Sequence, residues 1–406
     1  MSVLAFTGGG SGGHVMPGIA IVQALQERGD HSLVWFGSRR GIERSIVSRM
    51  VPEVRYISVP TGKLRRYLSF RNFIDAVKLP AGILVSLWYL LRLRPELLLS
   101  KGGFVSVPPV IAAWILRIPV ITHDSDADPG LATRINARFA RYVCVPYSQS
   151  VSNFSPRISQ RVVVTGNPVR RDILAGDPQR AEYYLSGMPA TSDPTGGTAA
   201  TSETPGGGST TSEPPDGGSE STRSTPGGLR ERPVVFVLGG SIGSGAINSL
   251  IDNGLDRFCE LATIVHHRGP GHPAPATHRH YYPAEFFSEE FPHILARASL
   301  VIARAGAGTV WELAASATPA ILIPLGSGSS RGDQLRNAEL YAAGGAAVVR
   351  SEESLTTDAL IELVSSLLSD ERRLHSMSAA AASFAASDAV DTIVGLIDSV
   401  RAEAVR

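Results

Sequence analysis

Cysteine is scarce in this chain: two residues in 406, Cys144 and Cys259. They lie far apart in sequence, each near apolar residues. That excludes a disulfide framework and a cysteine-based metal site, and it fits a reducing cytosol. The opening residues carry no basic flank and only the four-residue apolar run Val3 to Phe6, which is not the pattern of a signal peptide. The apolar stretch Leu79 to Leu91 falls short of the roughly 20 residues that a spanning helix needs. No Gly-Lys-Ser/Thr follows any glycine cluster, so a P-loop is excluded. No acidic residue closes the second apolar run, Leu33 to Phe36, where a dinucleotide site would want one.

What the chain does have is Thr7-Gly8-Gly9-Gly10-Ser11-Gly12-Gly13-His14, set between Val3 to Phe6 and the periodic segment Val15 to Leu25. This reads as strand, glycine loop, helix. Glycine admits positive φ and close approach of backbone to ligand, and the helix start offers unpaired N–H groups to an anion. The stretch is a candidate pyrophosphate cradle, with His14 at its mouth as a base or a hydrogen-bond donor. A tight turn needing only small residues would use the same letters.

The net charge of +1 hides a division. Residues 1 to 180 hold 23 Lys and Arg against 11 Asp and Glu; the remainder holds 15 against 26. The first half therefore calls for an anionic partner, whether nucleic acid, an anionic membrane or a phosphorylated substrate, unless the two halves simply attract each other.

Strand-like runs alternate with helical periods at Val3 to Phe6, Leu33 to Phe36, Val54 to Val59, Leu97 to Ser100, Val120 to Thr122, Tyr142 to Val145 and Val162 to Thr165. Such alternation predicts an α/β domain with a parallel sheet, binding ligands at the carboxyl ends of its strands. Between Met188 and Leu229 there is no Val, Ile, Leu, Met, Phe, Trp, Tyr or Cys. A segment of that composition buries too little apolar surface to order itself. The pattern then restarts with Val234 to Leu238, the glycine loop Gly239-Gly240-Ser241-Ile242-Gly243-Ser244-Gly245 and a helix from Ala246. Further strands are expected at Leu261 to Val265, Leu300 to Ala303, Ala320 to Ile323 and Ala346 to Val349. The expected organisation is an N-terminal Rossmann-like domain over 1–180, a low-complexity linker over 181–231 and a second Rossmann-like domain over 232–386. A helix over 387–406 would pack back on the first domain. Two doubly wound halves facing a cleft place the ligand between them.

Five ordered motifs carry a resemblance over nearly the whole chain apart from the linker: Thr7 to His14, Lys101-Gly-Gly-Phe-Val-Ser106, Gly166-Asn-Pro-Val-Arg170, Gly239-Gly-Ser-Ile-Gly243 and Ala303-Arg-Ala-Gly-Ala-Gly-Thr-Val-Trp-Glu312. In order and spacing they resemble the bacterial MurG family. The resemblance implies a GT-B fold and an inverting, metal-independent transfer of N-acetylglucosamine from UDP-GlcNAc to undecaprenyl-pyrophosphoryl-MurNAc-pentapeptide. That reaction belongs to the cytoplasmic membrane face and needs no cofactor and no nucleic acid. On the donor side it implies Arg170 and Ser241 at the phosphates with Gly240, Glu312 on the ribose hydroxyls, Gln334 on the sugar, and Thr309 nearby. On the acceptor side it implies Gly12, Gly13, Gly103, Phe104 and His123. Another UDP-sugar enzyme of this fold, such as a UDP-GlcNAc 2-epimerase or a lipid glycosyltransferase with a different acceptor, and a non-catalytic membrane scaffold are the rival readings.

One departure matters. Where the family commonly has His-Glu-Gln-Asn, this chain has His123-Asp124-Ser125-Asp126-Ala127-Asp128. An ionised Asp126 can accept a proton or hold His14 in the tautomer that does, so His14 and Asp126 are the expected base apparatus. Acids at alternate positions also look like overlapping Asp-x-Asp metal motifs, although no metal is expected in a GT-B site. Finally, Leu64 to Leu93 mixes basic residues with Phe70, Phe73, Leu84, Leu87, Trp88 and Leu91. A segment of this kind can lie on an anionic membrane surface, making the protein peripheral, or form a buried helix.

Overall fold

The computed structural model describes residues 2–10, 12–62, 70–187, 232–240, 243–326, 332–385 and 388–405. Seven parallel strands form the first sheet: β1 (Ser2–Thr7), β2 (His31–Gly37), β3 (Arg55–Ser58), β4 (Leu97–Ser100), β5 (Val120–His123), β6 (Tyr142–Val145) and β7 (Val162–Val164). Their spatial order is β3-β2-β1-β4-β5-β6-β7. The second sheet has six: β8 (Val234–Leu238), β9 (Thr263–His267), β10 (Tyr281–Ala284), β11 (Leu300–Ala303), β12 (Ala320–Leu322) and β13 (Ala347–Val349), in the order β10-β9-β8-β11-β12-β13.

Both sheets are buried on both faces, which is why their strands read as continuous apolar runs rather than alternating ones. Side chains still alternate. Leu4 and Phe6 join one core with Ile19, Trp35 and Leu99, while Ala5 joins the opposite one with Val34, Phe36 and Leu98. Phe236 and Leu238 likewise face one core of the second domain, and Val235 and Val237 the other. The strand order reverses between β1 and β4 and between β8 and β11. In open α/β sheets the crevice at such a reversal is where ligands bind, and both glycine loops leave the sheets there.

Three expectations need correction. The second sheet has an edge strand, β10, that sequence reading missed, because Pro283 argues against a strand; an edge position tolerates it. The strand expected at Leu261 to Val265 is shifted to Thr263–His267, and Leu261 ends the helix Leu255–Leu261. Residues 181–187 are not linker: the helix Pro178–Gly187 buries Ala181 and Leu185, one turn apart, in the second core. Residues 188–231 lie outside the described residues. The C-terminal helix Ala389–Val405 inserts Val390, Ile393, Val394, Ile397 and Val400 into the first core, and Arg401 pairs with Glu96 at 2.5 Å.

Candidate active site

On the first domain's carboxyl edge the loops after β1 and β4 press together. Gly103 has φ 75° and ψ 155°, and a Cβ there would lie 2.0 Å from Gly9 O, so only glycine fits. Phe104 lies against Gly10, whose Cβ would come within 2.8 Å of its ring. Gly12 and Gly13 open the helix Gly12–Arg28; a Cβ on Gly13 would meet nothing within 4 Å among the described residues. His14 is half-buried, and its Nδ1 would be 3.8 Å from a Cβ on Gly102.

Two buried charges that sequence reading passed over brace this loop. The carboxylate of Glu43 accepts from Gly10 N at 3.2 Å, Ser38 N at 2.9 Å and Ser38 Oγ. Gly9 leaves it room, since a Cβ there would sit 2.6 Å from Glu43 Cδ. On the other side Lys101 runs between Gly8 and Gly18, fully buried, and donates from Nζ to His123 Nδ1. Burial lowers its pKa to about 7. No sequence signal marked Glu43; Lys101 stood in a motif without an assigned role.

His123 is a correction. It is fully buried, with Nε2 3.0 Å from Gly166 O and Nδ1 taken by Lys101, so it supports the loop rather than facing an acceptor. Burial, and then the neighbouring Lys101, hold its pKa well below the usual range. The Asp-x-Asp reading also fails on geometry, because the three carboxylates serve three separate purposes. Asp124 accepts from Asp126 N and Gly130 N, Asp126 Oδ1 from Asn337 Nδ2 at 3.1 Å, and Asp128 from Asn153 Nδ2.

The Asp126–Asn337 bond crosses between domains, as do Ala127 N to Asn337 Oδ1 at 3.2 Å and Trp311 Nε1 to the Tyr147 hydroxyl at 3.2 Å. Asn337, buried and given no role from the sequence, is therefore a contact between the two domains.

On the second domain Gly240 has φ 87° and, among the described residues, nothing within 4 Å of where a Cβ would stand, whereas Gly243 is pressed against Arg268 O. Ser241 lies outside the described residues. The loop leads into the helix Gly245–Asp252, capped by Ser244, whose Oγ also accepts from Arg304 Nε and Nη2 at 3.2 and 2.7 Å. Buried Arg304, at the end of β11, thus ties the two loops of this switch point together. Thr309 and Glu312 lie one turn apart on the helix Ala307–Ala315, both partly buried. Arg170 Nη2 reaches Glu312 Oε1 at 3.9 Å, and Nη1 pairs with Asp172 at 2.7 Å. Burial raises the Glu312 carboxyl to about 7 against the opposing pull of Arg170. Gln334 accepts through Oε1 from Leu325 N at 3.0 Å. Asn167, buried beside Arg170, has neither amide atom bonded among the described residues, and Arg170 Nε is likewise unpaired.

Two glycine loops at the switch points, the Arg170–Glu312 pair and a basic first domain are the setting for the comparisons with known proteins. The Glycosyltransferase family 28 N-terminal domain matches residues 4–145 and the Glycosyltransferase family 28 C-terminal domain residues 234–393. A Treponema denticola protein is 36% identical over 95% of this chain and 94% of its own length. It is named a UDP-N-acetylglucosamine–N-acetylmuramyl-(pentapeptide) pyrophosphoryl-undecaprenol N-acetylglucosamine transferase, as is a Treponema pallidum protein 39% identical over 90% of this chain and 86% of its own. The chain belongs to the MurG family of glycosyltransferases. The crystal structure of Acinetobacter baumannii MurG superposes with a TM-score of 0.66 at 21% identity, covering 98% of this chain and all of that one. A UDP-GlcNAc 2-epimerase from Neisseria meningitidis shares the fold at 0.62 and 14% identity, over 98% of this chain and 99% of its own. The MurG-like architecture is thus GT-B, and the chain is a glycosyltransferase.

Proposed function

We propose that the protein transfers N-acetylglucosamine from UDP-GlcNAc to undecaprenyl-pyrophosphoryl-MurNAc-pentapeptide with inversion. Residues 232–386 would hold the donor and residues 1–180 the acceptor. The observation that carries the reading is the Arg170–Glu312 pair, which brings the end of the first domain against the donor-side helix. In this account Glu312 accepts from the ribose hydroxyls. Arg170 and the N–H groups of the second glycine loop meet the phosphates, with Thr309 and Gln334 flanking the sugar. The acceptor hydroxyl attacks the anomeric carbon, the carbon–oxygen bond to the β-phosphate breaks, and UDP leaves with that electron pair. His14 takes the hydroxyl proton, with Asp126 holding it in place.

The test is UDP release from UDP-GlcNAc with and without a polyprenyl-pyrophosphoryl-MurNAc-pentapeptide. Release only with that acceptor is expected; acceptor-independent release, as from an epimerase, would contradict the reading. Peripheral attachment to the cytoplasmic membrane face belongs to the same proposal. Leu84, Trp88 and Leu91 recur along one side of the helix Phe70–Leu93 and are 66%, 51% and 58% exposed, and Arg92 stacks on Trp88 at 4.6 Å. Leu87 instead packs against the core on the opposite face of the first sheet, with Ala5 and Phe36. The side chains of Phe70 and Phe73 lie outside the description. Binding to vesicles containing anionic lipid, reversed by salt and weakened by Leu84→Ser with Trp88→Ser, is the expected result.

A further inference from the structure

We infer that Lys101 is a positioning residue that ties the acceptor-side glycine loop to the segment bearing Arg170, so that the two substrates' supports move as one. The inference rests on the transferase reading above. Its basis is a continuous run of contacts through one fully buried amine.

Upward, Lys101 N donates to Thr7 O at 2.8 Å. Its stem fills the space left by two glycines: a Cβ on Gly8 would stand 2.9 Å from Lys101 Cβ, and one on Gly18 3.2 Å from Lys101 Cγ. These glycines therefore admit the protein's own lysine, and the first motif is shaped from beneath. Sideways, Nζ lies 3.4 Å from Ser125 Oγ, which donates to Gly13 O at 3.3 Å, next to His14. Downward, Nζ meets His123 Nδ1, and His123 Nε2 meets Gly166 O at 3.0 Å. A carbonyl can only accept, so Nε2 carries the proton, Nδ1 is the acceptor, and Lys101 is the donor.

Gly166 begins Gly166-Asn167-Pro168-Val169-Arg170. That segment holds the buried Asn167 amide and Arg170 Nε without partners among the described residues. Polar atoms buried in that way require a fixed backbone beneath them. Lys101, through His123, supplies it. Burial fits the pattern: it lowers the pKa of the amine and of the imidazole, and Lys101 lowers that of His123 further, which keeps the imidazole neutral and preserves the donor–acceptor sense of the bond.

Lys101→Met keeps the stem and removes the donor. Amide hydrogen exchange, followed by mass spectrometry on the full-length protein without substrate, reads the link directly. Exchange should quicken in peptides covering both residues 5–15 and 162–172. In turnover, kcat should fall about tenfold or more, as small misplacements do, with KM for UDP-GlcNAc within about twofold. Adding His123→Leu should cost no more than the worse single change, because both cut one link. Ser125→Ala, a milder change that keeps the fold if Lys101→Met does not, should quicken exchange at 5–15 alone and raise only the acceptor KM. Unchanged exchange at 162–172 in folded Lys101→Met, or unchanged exchange at 5–15 in Ser125→Ala, overturns the link. The expected exchange pattern in the variants, together with an unmodified protein that transfers no sugar, would overturn the transferase reading instead.

Discussion

The two glycine loops share a pattern of residues and a place in their sheets, yet they differ in what surrounds them. The first is filled from inside: Glu43 against Gly9 and Gly10, Lys101 against Gly8, Phe104 against Gly10, and Gly9 O against Gly103. The second leaves Gly240 with no described atom within 4 Å of where a Cβ would stand, and its tight contacts are at Gly239, against Ser244 N, and at Gly243, against Arg268 O. A glycine motif alone thus does not distinguish a loop shaped by its own protein from one kept clear for a ligand. The first loop's glycines make room for Glu43, Lys101 and Phe104 beneath His14; in the proposed reaction the second loop's Gly240 is the one that would admit a phosphate.

The largest effect that would break this comparison lies at the cleft. Asp126→Asn should lower kcat by at least about a hundredfold if the carboxylate serves proton transfer, with UDP-GlcNAc affinity unaltered. Near-normal turnover would leave Asp126 only as the partner of Asn337 across the domains. Next in size is a pair of substitutions. Gly103→Ala puts a methyl against backbone in a region of φ and ψ reserved to glycine, so it should destabilise the fold by about 3 kcal/mol or more. Gly240→Ala meets the cost of its positive φ, about 1 to 2 kcal/mol, and no described atom, and should weaken UDP binding. Thermal melts and calorimetry would separate the two, and equal losses of stability would erase the distinction between the loops.

A smaller effect follows from pH. Burial raises Glu312 to about 7, so the free protein holds it neutral below that value and ionised above it. Ribose hydroxyls need the ionised acceptor. Affinity for UDP-GlcNAc, whose phosphates keep constant charge here, should therefore rise roughly tenfold from pH 6 to pH 8. The rise should vanish in Glu312→Gln. A flat profile in the unmodified protein would show that Glu312 does not meet the ribose.

Much of this was legible in the sequence because strand, glycine loop and helix are local patterns. The two sheets, both loops and the helix bearing Glu312 are written in consecutive residues. The buried contacts were not. Glu43 comes to Gly10 from 33 positions away and His123 to Gly166 from 43, and no local period marks such pairs. His123 was expected at the acceptor because the family resemblance implied it. Only the positions of Lys101 and Gly166 turn it inward. Asn337 was missed for the same reason, since its partners Asp126 and Ala127 belong to the other domain.

The most direct measurement is calorimetric titration of UDP into the unmodified protein, Glu312→Ala and His14→Ala. The division of labour between the loops predicts that Glu312→Ala weakens UDP binding by tens-fold or more, through the loss of two charge-assisted hydrogen bonds of about 1.5 to 3 kcal/mol each. His14→Ala should bind UDP within about twofold of the unmodified protein. The reverse order, with UDP affinity lost in His14→Ala and kept in Glu312→Ala, would place the donor on the first loop and contradict the account.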